Sequence, residues 1–178
     1  MKKTGQFYLL AAIVIIAVII GFVGVTNYAK NKGDVRVYDL KDELNIENAY
    51  VMHYGTYNSY SDTEYNALLE NFTKTYSDFS GDQKNLYFVF GNKDTIYFAT
   101  YSEIVSGVVS VNIGGTTTDL NIHKKEYNKT EVGTNKNVGE NVIVKIENET
   151  YSFTLTSGQN FYFIISQTVS GEDYVTTN

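Results

Sequence analysis

Two histidines, His53 and His123, are the side chains of this chain that ordinarily titrate near neutral pH, so they are the first candidates for acid–base or metal chemistry. A zinc centre takes three or four His, Cys or carboxylate ligands. The two histidines lie 70 positions apart, neither has a partner at ligand spacing, and the chain has no cysteine. Both read as ordinary surface or partly buried histidines, His53 on a helical stretch beside Tyr54 and His123 beside Lys124 and Lys125 at a strand end. Without cysteine there is neither a thiol nucleophile nor a disulfide framework. No Gly-x-Ser-x-Gly elbow occurs, and "GNKDT" lacks the Gly-Lys-Ser/Thr of a phosphate loop. Two carboxylate clusters, Asp78 with Asp82 and Glu172 with Asp173, do not follow the twelve-residue calcium loop and read as solvated acidic turns. The expectation is therefore no catalytic residue, no metal and no cofactor, in a protein that is not an enzyme.

A different chemistry is written three times. Asn-x-Thr occurs at Asn71, Asn128 and Asn148. In an exported chain each is a glycan acceptor, because the transferase needs an exposed asparagine with a hydroxyl two residues on. Asn148 sits in an expected hairpin turn and Asn128 in a polar loop. Asn71 falls within a helix, beside its apolar stripe.

Those sites matter only if the chain is exported, and the first line bears on that. Phe7 to Val25 is a run of 19 residues without a charge. As a helix rising about 1.5 Å per residue it spans roughly 28 Å, close to a bilayer core of about 30 Å. Export signals that are removed have apolar runs of about 7–15 residues and a small-x-small cleavage site. This run is longer, and at its best candidate site, ending at Ala29, Asn27 stands where a small residue belongs. The run also starts abruptly, after "MKKTGQ". Ala17 and Gly21 form a small-xxx-small pair, with Gly24 adding a further notch, and such notches let helices approach closely in lipid.

The start of the chain resembles the class III signal peptide of type IV pilin-like proteins, archaeal ones in particular. Lys2 and Lys3 match the basic leader, Gly5 its last residue and Gln6 the new N-terminus. Leu10 stands where many bacterial members carry glutamate, a residue archaeal members often lack. The resemblance implies that a prepilin-type peptidase cuts between Gly5 and Gln6. It also implies that the apolar helix is kept, first in the membrane and then in the core of a filament of identical copies. The competing reading is a single-pass, uncleaved anchor holding a cell-surface binding protein that never polymerises.

The rest of the chain bears on partners. Residues 26–178 carry 12 basic and 20 acidic residues, a net charge of −8, with no basic run interleaved with aromatics. Such a surface repels phosphate backbones, so nucleic acid is not an expected partner. There are 16 tyrosines and 10 phenylalanines. Tyrosine is enriched at interfaces, because its ring gives contact area while its hydroxyl tolerates water. In "YGTYNSYSDTEY", tyrosines 54, 57, 60 and 65 stand in a polar, loop-like setting that suggests a subunit contact.

The elements that would position these residues follow from periodicity. The expected order is a leader at 1–5, an apolar helix at 6–30, a connector at 31–60 and an α+β head at 61–178. In the connector, Asp39 is expected to cap a short helix that stops at Gly55, although "VRVY" would equally begin a strand. Ser61-x-x-Glu64 is a capping box, and Tyr65, Leu68, Leu69, Phe72 and Tyr76 form the stripe of an amphipathic helix over 61–80. About seven antiparallel strands then follow between 86 and 169. Three hairpins turn at "NKD", at Gly114-Gly115 and at Asn148-Glu149, and "NFYFIISQTV" is a last, long strand. The pattern leaves open whether the strands form a sandwich or one sheet covered by the helix.

Overall fold

The computed structural model describes residues 36–80, 84–102, 107–169 and 172–178. Residues 37–178 form one compact α+β unit. Among the described residues it contains helices α1 (Arg36–Tyr57) and α2 (Asp62–Phe79) and nine strands. The strands are β1 (Lys84–Gly91), β2 (Thr95–Ser102), β3 (Gly107–Ile113), β4 (Thr116–Ile122), β5 (Tyr127–Thr134), β6 (Asn141–Ile146), β7 (Glu149–Thr154), β8 (Asn160–Val169) and β9 (Glu172–Thr177). A five-stranded antiparallel sheet has the order β5-β2-β1-β8-β9, and a four-stranded one the order β4-β3-β6-β7.

The two architectures left open by the sequence are both present. The four-stranded sheet packs on one face of the five-stranded sheet, and the two helices pack on the other. Strand β1 shows why. All eight of its residues are buried, so it alternates between two cores rather than between core and water. Tyr87 and Val89 point into the aliphatic layer between the sheets, with Val109, Val111, Val142, Val144 and Ile164. Leu86, Phe88 and Phe90 point into an aromatic layer under the helices, with Phe161, Phe163, Leu44, Leu69 and Tyr76. A strand covered on both faces reads as a continuous apolar run, as "LYFVFG" does. Removing Phe-sized groups from such a layer costs about 3–5 kcal/mol each.

Helix α2 begins as its sequence dictates. The Ser61 hydroxyl accepts the Glu64 amide at 3.4 Å, and the Glu64 carboxylate accepts the Ser61 amide at 2.9 Å. These contacts, chiefly the Ser61 hydroxyl donating to Glu64, hold the Glu64 carboxyl below its usual range. The helix closes on Ser80, whose amide donates to the Tyr76 carbonyl.

Four expectations are corrected. The connector helix is present but longer than expected: α1 covers 22 residues, has Asp39 in its first turn and not as its cap, and takes the place of the alternative strand at its start. Gly55 does not stop α1, which runs to Tyr57. A β-carbon there would lie 2.7 Å from the ring of Tyr65, so the glycine is the notch through which α1 and α2 approach. The third hairpin turns one residue earlier than expected, at Glu147-Asn148, with Ile146 paired to Glu149 and Glu147 at φ 51°. Strands β5 and β9 had no expected counterpart. Segment 172–177 is not an acidic turn: it pairs with β8, and there Asp173 accepts from Thr168 at 2.6 Å.

Candidate interaction surface

The residues of α1 divide by angle. Val37, Leu40, Leu44, Val51 and Gly55 face the sheet or α2, all buried except the half-buried Val51. At about 100° per residue, the opposite face collects Ile46, Tyr50, His53, Tyr54 and Tyr57. All five are exposed, Tyr50 at 73% and Tyr57 at 80%. Tyr50, His53, Tyr54 and Tyr57 join Val51 and Leu68 around a shallow depression of about 530 Å³.

These rings are held rather than loose. His53 stacks on Tyr57, with centroids 6.5 Å apart. Tyr54 meets Tyr60 edge to face at 5.9 Å, and a hydrogen bond to Tyr54 pushes the Tyr60 hydroxyl above its ordinary range. Beneath them Tyr65 donates to the Met52 carbonyl and shares a 3.1 Å hydrogen bond with Thr56, which ties α2 to the last turns of α1. Such pre-ordering lowers the entropic cost of docking a partner there. Further toward the N-terminus the outer face turns acidic, with Asp39, Asp42, Glu43 and Glu47 all exposed.

The sequence singled out tyrosines 54, 57, 60 and 65 as one loop-like group. The structure separates them. Tyr54 and Tyr57 lie on α1, Tyr60 lies in the link between helices, and Tyr65 is buried on α2. Ile46 and Tyr50, which complete the exposed stripe, went unnoticed. Their signal was the spacing 46, 50, 54, 57, a second helical stripe behind the one that faces the sheet.

The three sequons differ in access. Asn148, Glu149 and Thr150 are all exposed on the β6–β7 hairpin. Asn128 is not in a polar loop: it pairs with Thr100 in β5, half-buried, as is Thr130. Asn71 is exposed on α2, but Thr73 is fully buried, donates to the Leu69 carbonyl at 2.9 Å and bonds the Tyr127 hydroxyl at 2.7 Å. A transferase cannot reach that hydroxyl without opening the helix layer.

His53 lies on α1 and His123 in the link between β4 and β5, and no group of three or more potential metal ligands occurs among the described residues. Asp78 is exposed near the end of α2, and Asp82 lies outside the described residues. So do Gly5, Gln6, Ala17, Gly21 and Gly24, together with the whole apolar run from Phe7 to Val25. Among the described residues no helix is long and apolar enough to cross a membrane. No family model, no curated protein and no solved structure matches the chain.

Proposed function

We propose that the chain is a structural subunit of an extracellular, type IV pilus-like filament. A prepilin-type peptidase removes residues 1–5, and the precursor is held in the membrane by the apolar helix. Copies then assemble through that helix, with Ala17, Gly21 and Gly24 letting neighbours approach. The heads face outward and mediate attachment. The observation that carries this reading is the uncharged run of 19 residues directly behind the Lys2-Lys3-Thr4-Gly5-Gln6 junction. Moving such a helix from lipid into a fibre exchanges one apolar environment for another, so packing and head contacts must supply the drive. The exposed aromatic face of α1 supports the reading, because it offers a head contact on the element nearest the apolar run in sequence.

The test is the N-terminus of the mature protein. Mass spectrometry is expected to find Gln6 as the first residue, and Gly5→Leu is expected to leave an unprocessed, unassembled precursor. A mature protein starting at Met1 or Lys2, with no fibres in sheared surface material, would establish the anchored, non-polymerising reading instead.

A further inference from the structure

We infer that the groove between α1 and α2 receives the basic connector of a second copy, residues Lys30 to Arg36, and so sets the register between neighbouring subunits. The groove measures about 230 Å³ and is lined by Glu43, Glu47, Phe72, Thr75, Tyr76 and Phe79. Its floor is apolar and incompletely covered: Phe79 is 74% exposed although its ring closes one side. Its rim is acidic. Asp39, Glu43 and Glu47 repeat every fourth residue along α1, so like charges stand one above the next, which is unfavourable on a helix surface. Among the described residues neither Glu43 nor Glu47 has an ion pair or a side-chain hydrogen bond, whereas Glu70 on α2 is bound by Lys129. An apolar floor beneath uncompensated carboxylates fits a ligand that brings both cations and aliphatic length, which is what lysine and arginine side chains provide.

This chain supplies such a ligand. Lys30, Lys32 and Arg36 place three of the twelve cations beyond the apolar run within seven residues. Several of the others are already committed. Lys129 binds Glu70 and lies 4.6 Å over the Tyr97 ring, Lys93 binds Asp94, and Lys136 donates to the Ile113 carbonyl. Along the chain the order is therefore apolar, basic, acidic, aromatic. The proposed contact sets the basic segment of one copy against the acidic rim of the next. This contact joins two different surfaces, and such a contact propagates instead of closing into a dimer. The inference rests on the filament reading and gives it a register.

The full-length, membrane-processed chain provides the test. Glu43→Lys with Glu47→Lys is expected to reduce filament yield at least tenfold, as is Lys30→Glu with Lys32→Glu. Combining all four changes is expected to restore most of it. The native chain lacks cysteine, so co-expressing a Lys32→Cys subunit with a Thr75→Cys subunit gives a clean second measurement. A short bis-maleimide is expected to join the two into a product of doubled mass, which only an intermolecular contact can form. Filaments that assemble normally with the glutamates reversed, and yield no such product, overturn the groove assignment and leave the filament reading standing. A wild-type chain that is processed at Gly5 yet stays monomeric everywhere removes both.

Discussion

The outer face of α1 and the outer face of the four-stranded sheet are built on opposite rules. The sheet face is mostly polar, in cross-strand rows Asp119–Ser110–Lys145–Thr150 and Thr117–Asn112–Ile143–Ser152, with Val108 and Ile143 as exposed apolar members. Several polar side chains of this face bond one another. Ser110 donates to Asp119 at 2.5 Å, Asn112 to Thr117 at 2.7 Å, and Thr154 to Asn141 at 3.0 Å. The helix face instead presents Ile46 and three tyrosines whose rings lie mostly in water. Exposed aromatic area of that kind is what interfaces bury. The first surface meets part of its own polarity internally, and the second leaves aromatic area in water. In the proposed filament that difference would orient the head, with α1 toward a neighbour and the sheet, with the Asn148 hairpin at its edge, toward solvent.

The largest effect should come from breaking that contrast on the helix side. Replacing Tyr50, Tyr54 and Tyr57 together by serine is expected to abolish filaments in electron micrographs. Each exposed site should cost folding stability no more than about 0.5 kcal/mol, read by urea denaturation of the purified chain. Leu44→Ala, on the buried side of the same helix, is expected to cost about 2–5 kcal/mol. If the tyrosine variant lost comparable stability, the outer face would belong to the fold and not to an interface.

A second effect separates buried tyrosine from exposed tyrosine by pH. Burial, with Glu147 adding to it, pushes the Tyr87 hydroxyl up to about 12, against an opposing hydrogen bond to Ser166. Burial also pushes Tyr127 up to about 12, opposed by its bond to Thr73 and assisted by Glu70. In the unfolded chain a tyrosine ionises near 10. Between about 10 and 12 the unfolded state has therefore lost protons that the native state still holds, and stability falls as pH rises through that window. Below it the contribution is fully present. Urea midpoints at pH 9 and pH 11 are expected to show the drop, and Tyr87→Phe with Tyr127→Phe to shrink it.

How much of this was legible in the sequence depended on whether a residue's role was local. The capping box at Ser61 and Glu64 and the Gly114-Gly115 turn concern neighbours a few positions apart, and both stand as read, the two glycines at φ 57° and 82°. The stripe of α2 was legible for the same reason. The three-layer arrangement was not, because a run such as "LYFVFG" shows only that both faces are dry, not what covers each. Gly55 was misread because its role depends on Tyr65, ten residues away across a helix pair. Strand β5 escaped because "YNKTEVGT" is mostly polar: it sits at the sheet edge, where only Val132 is buried. The interaction surface was half-seen. Its tyrosines were noticed as a cluster, but the clustering followed the chain and not the helix, so Tyr65 was included and Tyr50 left out.

The smallest expected effect lies on the sheet side, and it is the sharpest check on the contrast, because the prediction there is that nothing happens. Ile143 is the largest apolar side chain among the polar rows, 36% exposed and flanked across the strands by Asn112 and Ser152. Ile143→Thr keeps the β-branched shape that suits a strand and makes the row uniformly polar. Stability is expected to stay within about 0.5 kcal/mol and filament yield to stay unchanged. Asn148→Gln, in the adjoining hairpin, should remove one glycan from the intact mass and leave assembly alone, whereas Asn71→Gln should add only the methylene of the substitution and remove no glycan. Loss of filaments in Ile143→Thr would mean that the satisfied face is also an interface, since a side chain that merely tolerates water has no reason to matter to a neighbour.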